Sequence, residues 1–357
     1  MPEYFLRFLQ KTIYLAMAVF LFAGMTSAKN ISKLPARDYW PTKEWRKAAP
    51  ERKGLDARVL KKMNPFIKTE RPQIRGVLIV RHGYLVYEQY FNDFTREYKQ
   101  NTSSVTKSIT SALVGIALKQ GYLESLDRKV VDFFPEYITP DTDPLVQKIT
   151  LKHLLTMSSG FNKDDLYLKT TQEKFQQKLV HEPGAFFEYN NDVTDLLSPL
   201  LMKATNTSLL DFAKKNLFNP LGIANVTWEI PSAPPFDQEP YQRASQGIYL
   251  TPIDMAKFGY LYLNRGKWNG KQIISVDFVK ASTEKRIQAY PDSDYGYLWW
   301  IKPLAGHPCY FAFGRDGQYI CVFQDLDMVV VIASAKEEVI NMNLDIIGRF
   351  IIPSIRQ

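Results

Sequence analysis

Two cysteines and four histidines are all that 357 residues hold of the common soft metal ligands. His82, His153, His181 and His307 form no HExxH pair and no CxxC occurs, so neither a metal site nor a disulfide-dense scaffold is expected. GxSxG, the P-loop pattern and GxGxxG are also missing, which removes the usual marks of a nucleophile elbow, a nucleotide-triphosphate cradle and a dinucleotide site. No cofactor is therefore expected. No repeat of 20 to 50 residues recurs, and no Gly/Ser-rich or Pro-rich linker divides the chain. Basic and acidic residues alternate instead of forming blocks, so the net charge of +8 describes solvated faces and not a nucleic-acid groove.

What is present is ordinary globular material, 45% hydrophobic and 13% aromatic, enough for one large domain or two interleaved ones. The first 28 residues stand apart. Arg7 and Lys11 precede the apolar run IYLAMAVFLFAGM, and Thr26-Ser27-Ala28 offers small residues for cleavage. This pattern predicts a signal peptide over 1–28 and a periplasmic or secreted chain, with an uncleaved membrane anchor as the alternative. Its removal takes away Glu3, Arg7 and Lys11 and leaves a net charge of +7. No later run approaches the ~20 apolar residues of a spanning helix, so no membrane span is expected after cleavage.

A Pro- and charge-rich extension (29–54) leads into LDARVLKKMNPFI, read as a first helix over 55–67. RGVLIVRHGYLVYEQYF (75–91) holds two β-rich runs broken at His82-Gly83, a hairpin signal. In NTSSVTKSITSALVGIALKQG, Ile109, Ala112, Leu113, Ile116 and Ala117 repeat with helical spacing, which predicts a largely buried helix ending near Gly121. Helical signals dominate 122–290, with Thr150 and Thr251 as caps. CYFAFG, QYICVFQ and DMVVVIAS then return to strands, before a helix over EEVINMNLDIIGRFI. Strands from both chain ends with helices between predict an α+β fold. In this reading 55–121 and 291–352 build one antiparallel sheet and 122–290 forms an all-helical region.

The helix carries an oddity. Lys107 sits three residues after Ser104 in a first turn whose unpaired N–H groups favour anions. A spacing of three places both side chains on one face. A serine hydroxyl becomes a nucleophile when a base takes its proton, and a lysine can be that base only in its neutral form, which burial favours. The backbone N–H of Ser104 would then lie where an oxyanion could be held. The same SxxK spacing recurs at Ser282 and Lys285, among charges and with no buried helix after it, and is read as chance.

Further along, PGAFFEYNN (183–191) sets Tyr189 and Asn191 as Y-x-N on a Pro-Gly-led loop, and FAFGRDGQ (311–318) is a Gly-punctuated strand edge. With SVTK, ITLKHLLTMSSG, GIYLTPIDMAKFG and YGYLWW, these resemble the serine β-lactamase and penicillin-binding protein superfamily. The branch they resemble is that of class C β-lactamases, family VIII esterases and 6-aminohexanoate-dimer hydrolases, along about 55–352. The resemblance implies a β-lactamase/DD-peptidase-like fold with Ser104 as nucleophile, Lys107 as its base partner and Tyr189 as the second acid or base. It implies an oxyanion hole from the backbone N–H groups of Ser104 and Arg315. Asn191 would hydrogen-bond the substrate or the lysine, and Gly314 and Arg315 would contact substrate; among the aromatics clustered around these motifs, Trp300 or Phe187 is expected to line the pocket. Where the β-lactamases and peptidases have K-T-G, this chain has Ala312-Phe313-Gly314. The loss of that cation favours an esterase or amidase acting on a small ester, amide or peptide-like substrate. A β-lactamase or D-alanyl-D-alanine carboxypeptidase is the second reading, and an inactive protein that binds cell-wall peptides or a partner is the third. Cys309 and Cys321 flank the FAFGRDGQYI segment symmetrically about Arg315, so an exported chain could bridge them across a hairpin; two buried free thiols is the equal alternative.

Overall fold

The computed structural model describes residues 35–166, 169–232, 240–337 and 341–356, so the expected signal peptide (1–28) lies outside the described residues. Contacts divide the chain into Met1–Ala36 and Arg37–Gln357, and the second unit holds everything that follows. It begins earlier than the sequence suggests. Residues 37–54 are packed in place: Trp45 is buried, and Trp40 meets the rings of Tyr260 and Trp268. The helix expected over 55–67 forms as two, Ala57–Lys61, capped by the Asp56 side chain, and α1 (Met63–Glu70). Pro65 has no N–H to return to Lys61, which accounts for the break.

The predicted hairpin is β1 (Ile74–Arg81) and β2 (Tyr84–Tyr90), joined by His82 (φ 50°) and Gly83 (φ 81°). Two left-handed residues are what a tight two-residue hairpin turn requires. The remaining strands of an eight-stranded antiparallel sheet come from the chain's end. They are β3 (Ile287–Tyr290), β4 (Ser293–Tyr295), β5 (Trp300–Ile301), β6 (Tyr310–Gly314), β7 (Gln318–Phe323) and β8 (Met328–Ser334), in the spatial order β2-β1-β8-β7-β6-β5-β4-β3. The expectation of one sheet knitted from both ends holds, with β1 paired to β8 from Ile74↔Ser334 to Arg81↔Met328.

Both faces of this sheet are covered, so β8 reads as a continuous apolar run. One face turns Leu78, Val80, Ile320 and Val331 toward α2 (Val105–Lys119) and α5 (Pro252–Leu263). The other turns Val77, Ile79, Val330 and Ile332 toward Met63 and Ile67 of α1 and the helical turns from Met342 to Ser354. The expected helical region is thereby redrawn, because α5 lies on the sheet beside β1, β7 and β8, and β3 extends the sheet's edge. α3 (Asn191–Asp195), α4 (Leu197–Thr205) and α6 (Val276–Ser282) complete the helices that matter for the site.

The cysteines differ from the bridged expectation. β6 and β7 turn over three residues centred on Asp316, since Gly314 faces Gln318, and this places Phe311 opposite Cys321. Cys309 is therefore two positions out of register with Cys321, and both are buried free thiols. Burial, with Cys321 beside it, pushes the Cys309 thiol well above its ordinary range.

Candidate active site

The start of α2 is clamped before it begins. Thr102 N and Oγ1 both donate to the Ile248 carbonyl, each at 2.8 Å. Ser103 N donates to Asn101 Oδ1 at 2.8 Å, and Ser103 takes a left-handed backbone (φ 49°) that turns the chain into the helix. The Ser103 hydroxyl donates to Asp316 Oδ2 at 3.1 Å, tying this turn to the β6–β7 hairpin. Gly314 closes the same junction. A Cβ there would stand 2.4 Å from the Thr102 carbonyl oxygen and from Gln318 Oε1, so only glycine lets the strand end approach.

Ser104 and Lys107 come together as the helical spacing requires, Oγ to Nζ at 3.0 Å. Lys107 is 1% exposed, and it also donates to Asn191 Oδ1 at 2.7 Å and to the Ser245 carbonyl at 3.0 Å. Those two oxygens can only accept. A hydroxyl both donates and accepts, so the contact with Ser104 Oγ is the one of the three that can run in either direction. Ser245 is missed by sequence reasoning, although it stands two residues before the quoted GIYL stretch. It is held by a Thr110 Oγ1 bond to the Ala244 carbonyl (2.8 Å) and by its own N–H on Asp195 Oδ1 (2.8 Å).

Tyr189 and Asn191 flank Asn190, whose Oδ1 caps α3 by accepting from Asp192 N and Val193 N. The loop before them is pinned by Glu188 N on the Met157 carbonyl. Lys107 Nζ lies 4.9 Å from the centre of the Tyr189 ring. No hydrogen bond joins the Tyr189 hydroxyl to Lys107 or Ser104 among the described residues; the lysine's contacts go to Ser104, Asn191 and Ser245. The N–H groups of Ser104 and Arg315 have no hydrogen-bond partner among the described residues, which leaves both as donors to a ligand.

These groups open on a cavity of about 280 Å³ lined by Ser104, Tyr189, Asn191, Trp300, Phe313 and Arg315, among others. Trp300 stacks on Tyr189 at 5.8 Å and on Tyr290 at 5.9 Å. Phe187 does not line it: it is buried behind the wall, edge-on to Tyr295 and Trp300. Gly314 likewise serves the close approach described above, and the Arg315 side chain, at the cavity's rim, is 89% exposed with Asp316 beside it at 3.9 Å. Gln246, Tyr290, Asp292, Ser293 and Lys302 line the cavity unforeseen. For Lys302 the signal was available, since it follows Trp300 by two residues on a strand path and so shares its face. The second SxxK is no site. Ser282 Oγ donates to the Val279 carbonyl, while Lys285 pairs with Asp294 in solvent.

Several known proteins share this framework. The chain is 25% identical to the provisionally named penicillin-binding protein PbpX of Bacillus subtilis, over 69% of this chain and 68% of that one. A Bacillus anthracis structure with the provisional name 6-aminohexanoate-dimer hydrolase superposes with a TM-score of 0.69 at 21% identity, over 88% and 89% of the two chains. EstCE1, a hydrolase with promiscuous acyltransferase activity, superposes at 0.65 with 17% identity, over 79% and 93%. At these identities the structural likeness is one of fold. The Beta-lactamase family model matches residues 63–343, from the first residue of α1 to past the last strand of the sheet, and the chain belongs to that family of hydrolases.

Proposed function

We propose that the chain is a serine hydrolase that cleaves an ester or amide bond of a small substrate through an acyl-enzyme on Ser104. The observation that carries this is the buried Lys107 amine, held by two obligate acceptors with Ser104 Oγ as its third neighbour. Ser104 Oγ attacks the substrate carbonyl carbon as its proton passes to Lys107 Nζ. The carbonyl oxygen gathers charge against the N–H groups of Ser104 and Arg315. The new ammonium is held by Asn191 Oδ1, the Ser245 carbonyl and the face of the Tyr189 ring. Collapse expels the alcohol or amine, which takes the phenolic proton of Tyr189. Water then attacks the acyl-enzyme, returning a proton to Tyr189, and Lys107 gives its proton back to Ser104 as the acid leaves. No step requires Tyr189 to hydrogen-bond Lys107 directly, in keeping with the geometry.

An ester or amide is preferred over a β-lactam because Ala312 is fully buried and offers no cation, while the Arg315 side chain at the rim is 89% exposed and hydrated. A β-lactam carboxylate brought to that strand edge would lose its water without a buried cation to replace it. Cleavage after Ala28 and export of the mature chain complete the proposal, checked by the N-terminal sequence of protein recovered from the periplasm or medium. The test of the activity is a fluorophosphonate probe with p-nitrophenyl acetate and butyrate, the adduct being mapped by mass spectrometry. A label on Ser104 with ester turnover is expected. Folded protein that takes no label would favour a binding protein, and nitrocefin turnover matching the ester would favour a β-lactamase.

A further inference from the structure

The cavity that opens on Ser104 is walled by aromatic rings, Tyr189, Tyr290, Trp300, Phe311 and Phe313, yet its lining also includes one ion pair that the proposed chemistry does not use. Lys302 Nζ meets Asp292 Oδ2 at 2.5 Å. The lysine is placed by β5 pairing: Trp300 faces Phe311, and Lys302 N donates to the Cys309 carbonyl at 3.0 Å. Trp300 and Lys302 thus stand on the same side of one strand path, and the ammonium lies beyond the indole along the wall. Asp292 comes from the two-residue turn between β3 and β4, whose flanking residues Tyr290 and Ser293 also line the cavity.

The two partners are unequal. The Lys302 side chain is 25% exposed, whereas that of Asp292 is 68% exposed. Asp292 loses little on returning to water. An ammonium left alone beside aromatic walls loses its counter-ion and much of its hydration, so a second carboxylate is the natural replacement. Ala312, buried at the strand edge, offers no cation, and Arg315, the other cationic side chain of the lining, is 89% exposed and keeps its water, so Lys302 is the more desolvated of the two.

We propose that Lys302 receives an anionic group of the substrate, a carboxylate on the acyl or the leaving part, and that Asp292 is the resting partner it displaces. The proposal rests on the serine hydrolase reading and narrows its substrate class to esters or amides with a negative charge remote from the scissile bond. Lys302 is a specificity-determining residue in this scheme, and Asp292 competes with the substrate for it.

The experiment compares kcat/KM for p-nitrophenyl butyrate, mono-p-nitrophenyl glutarate and 4-(butyryloxy)benzoate, which carry no anion, an acyl-side anion and a leaving-side anion. The wild-type chain, Lys302→Met, Lys302→Arg and Asp292→Asn are each measured. One of the two anionic esters should exceed the neutral one, and Lys302→Met should lower that ratio by roughly tenfold or more, the scale of a lost charged hydrogen bond. Lys302→Arg should keep most of the ratio, and Asp292→Asn should raise it. A ratio that Lys302→Met leaves unchanged for both anionic esters overturns the proposal. Binding of monobutyl glutarate against butyl butyrate to Ser104→Ala protein, read by tryptophan fluorescence, separates the two ideas. Anion-dependent binding lost in Ser104→Ala/Lys302→Met, together with a wild-type chain that turns over none of the three esters, would sink the hydrolase reading and keep the anchor. Equal binding in both proteins would sink the anchor.

Discussion

At the scale of single residues, the amine of Lys107 is the best-defined group in the cavity, with three polar neighbours and almost no exposure. Ser104→Ala should abolish ester hydrolysis. Lys107→Ala and Tyr189→Phe should each lower kcat by a factor on the order of 10² to 10⁴, the usual scale of a lost acid or base. Residues that act as one unit are not additive, so Lys107→Ala with Tyr189→Phe should cost little more than the worse single change. Steady-state kinetics on p-nitrophenyl butyrate decides this, and full turnover by Ser104→Ala would refute the nucleophile. The Ser104–Lys107 contact was legible because a helix guarantees it at a spacing of three. The Ser245 carbonyl was not, because a main-chain acceptor carries no side-chain signature and reaches Lys107 from 138 positions away. Lys302 was legible in principle by strand alternation and was overlooked because its chemistry shows only beside Asp292.

At the scale of elements, the site depends on one strand end meeting one helix start. Gly314→Ala would drive a methyl into the Thr102 carbonyl and Gln318, displacing the Arg315 N–H from Ser104 while the sheet's remaining pairs stay intact. A large fall in kcat with an unchanged far-ultraviolet circular dichroism spectrum is the expected result; normal kcat would mean that the junction adapts. The β6–β7 hairpin also shows where reading a sequence stops. Its strands were plain from their alternating and continuous apolar runs, but the turn's centre was not, and moving that centre by one residue, from Arg315 to Asp316, moves the register by two. That shift is what separates Cys309 from Cys321, and thiol titration of denatured, unreduced protein should find two free thiols. In the same way, the periodicity of α5 revealed a helix without saying that its buried face meets the sheet. Long-range packing chose that.

At the scale of the whole molecule, a clasp joins the leading segment to the far end of the sheet. Arg37 donates to both oxygens of Asp327, just before β8, and its Nε donates to Asn264 Oδ1 at 2.7 Å after α5. Burial alone would raise the Asp327 carboxyl, but Arg37 and His82 outweigh it and hold it at about 2, against 3.8 for the free group. A carboxyl depressed on folding stabilises the fold fully above its unfolded value and loses that contribution as pH falls through the folded one. Asp327→Asn should therefore cost about 2 kcal/mol at pH 7. The gap between the two proteins' urea midpoints should narrow as the pH falls from about 4 toward 2. A gap independent of pH would place the cost in packing and not in charge.

The pairing of β1 with β8 has a bearing on how the chain comes to be folded at all. β8 is the strand between β1 and β7, so the hairpin made first has no neighbour on its inner edge until residues 328–334 have been synthesised. Contacts between strands some 250 positions apart are slow to close, because the loop between them must be ordered first. A ribosome-bound chain lacking β8 is consequently a poor candidate for early compaction. Under the proposed export through a narrow translocation channel, that delay would be useful: the strand that locks the sheet arrives last, and the chain would remain threadable until it does.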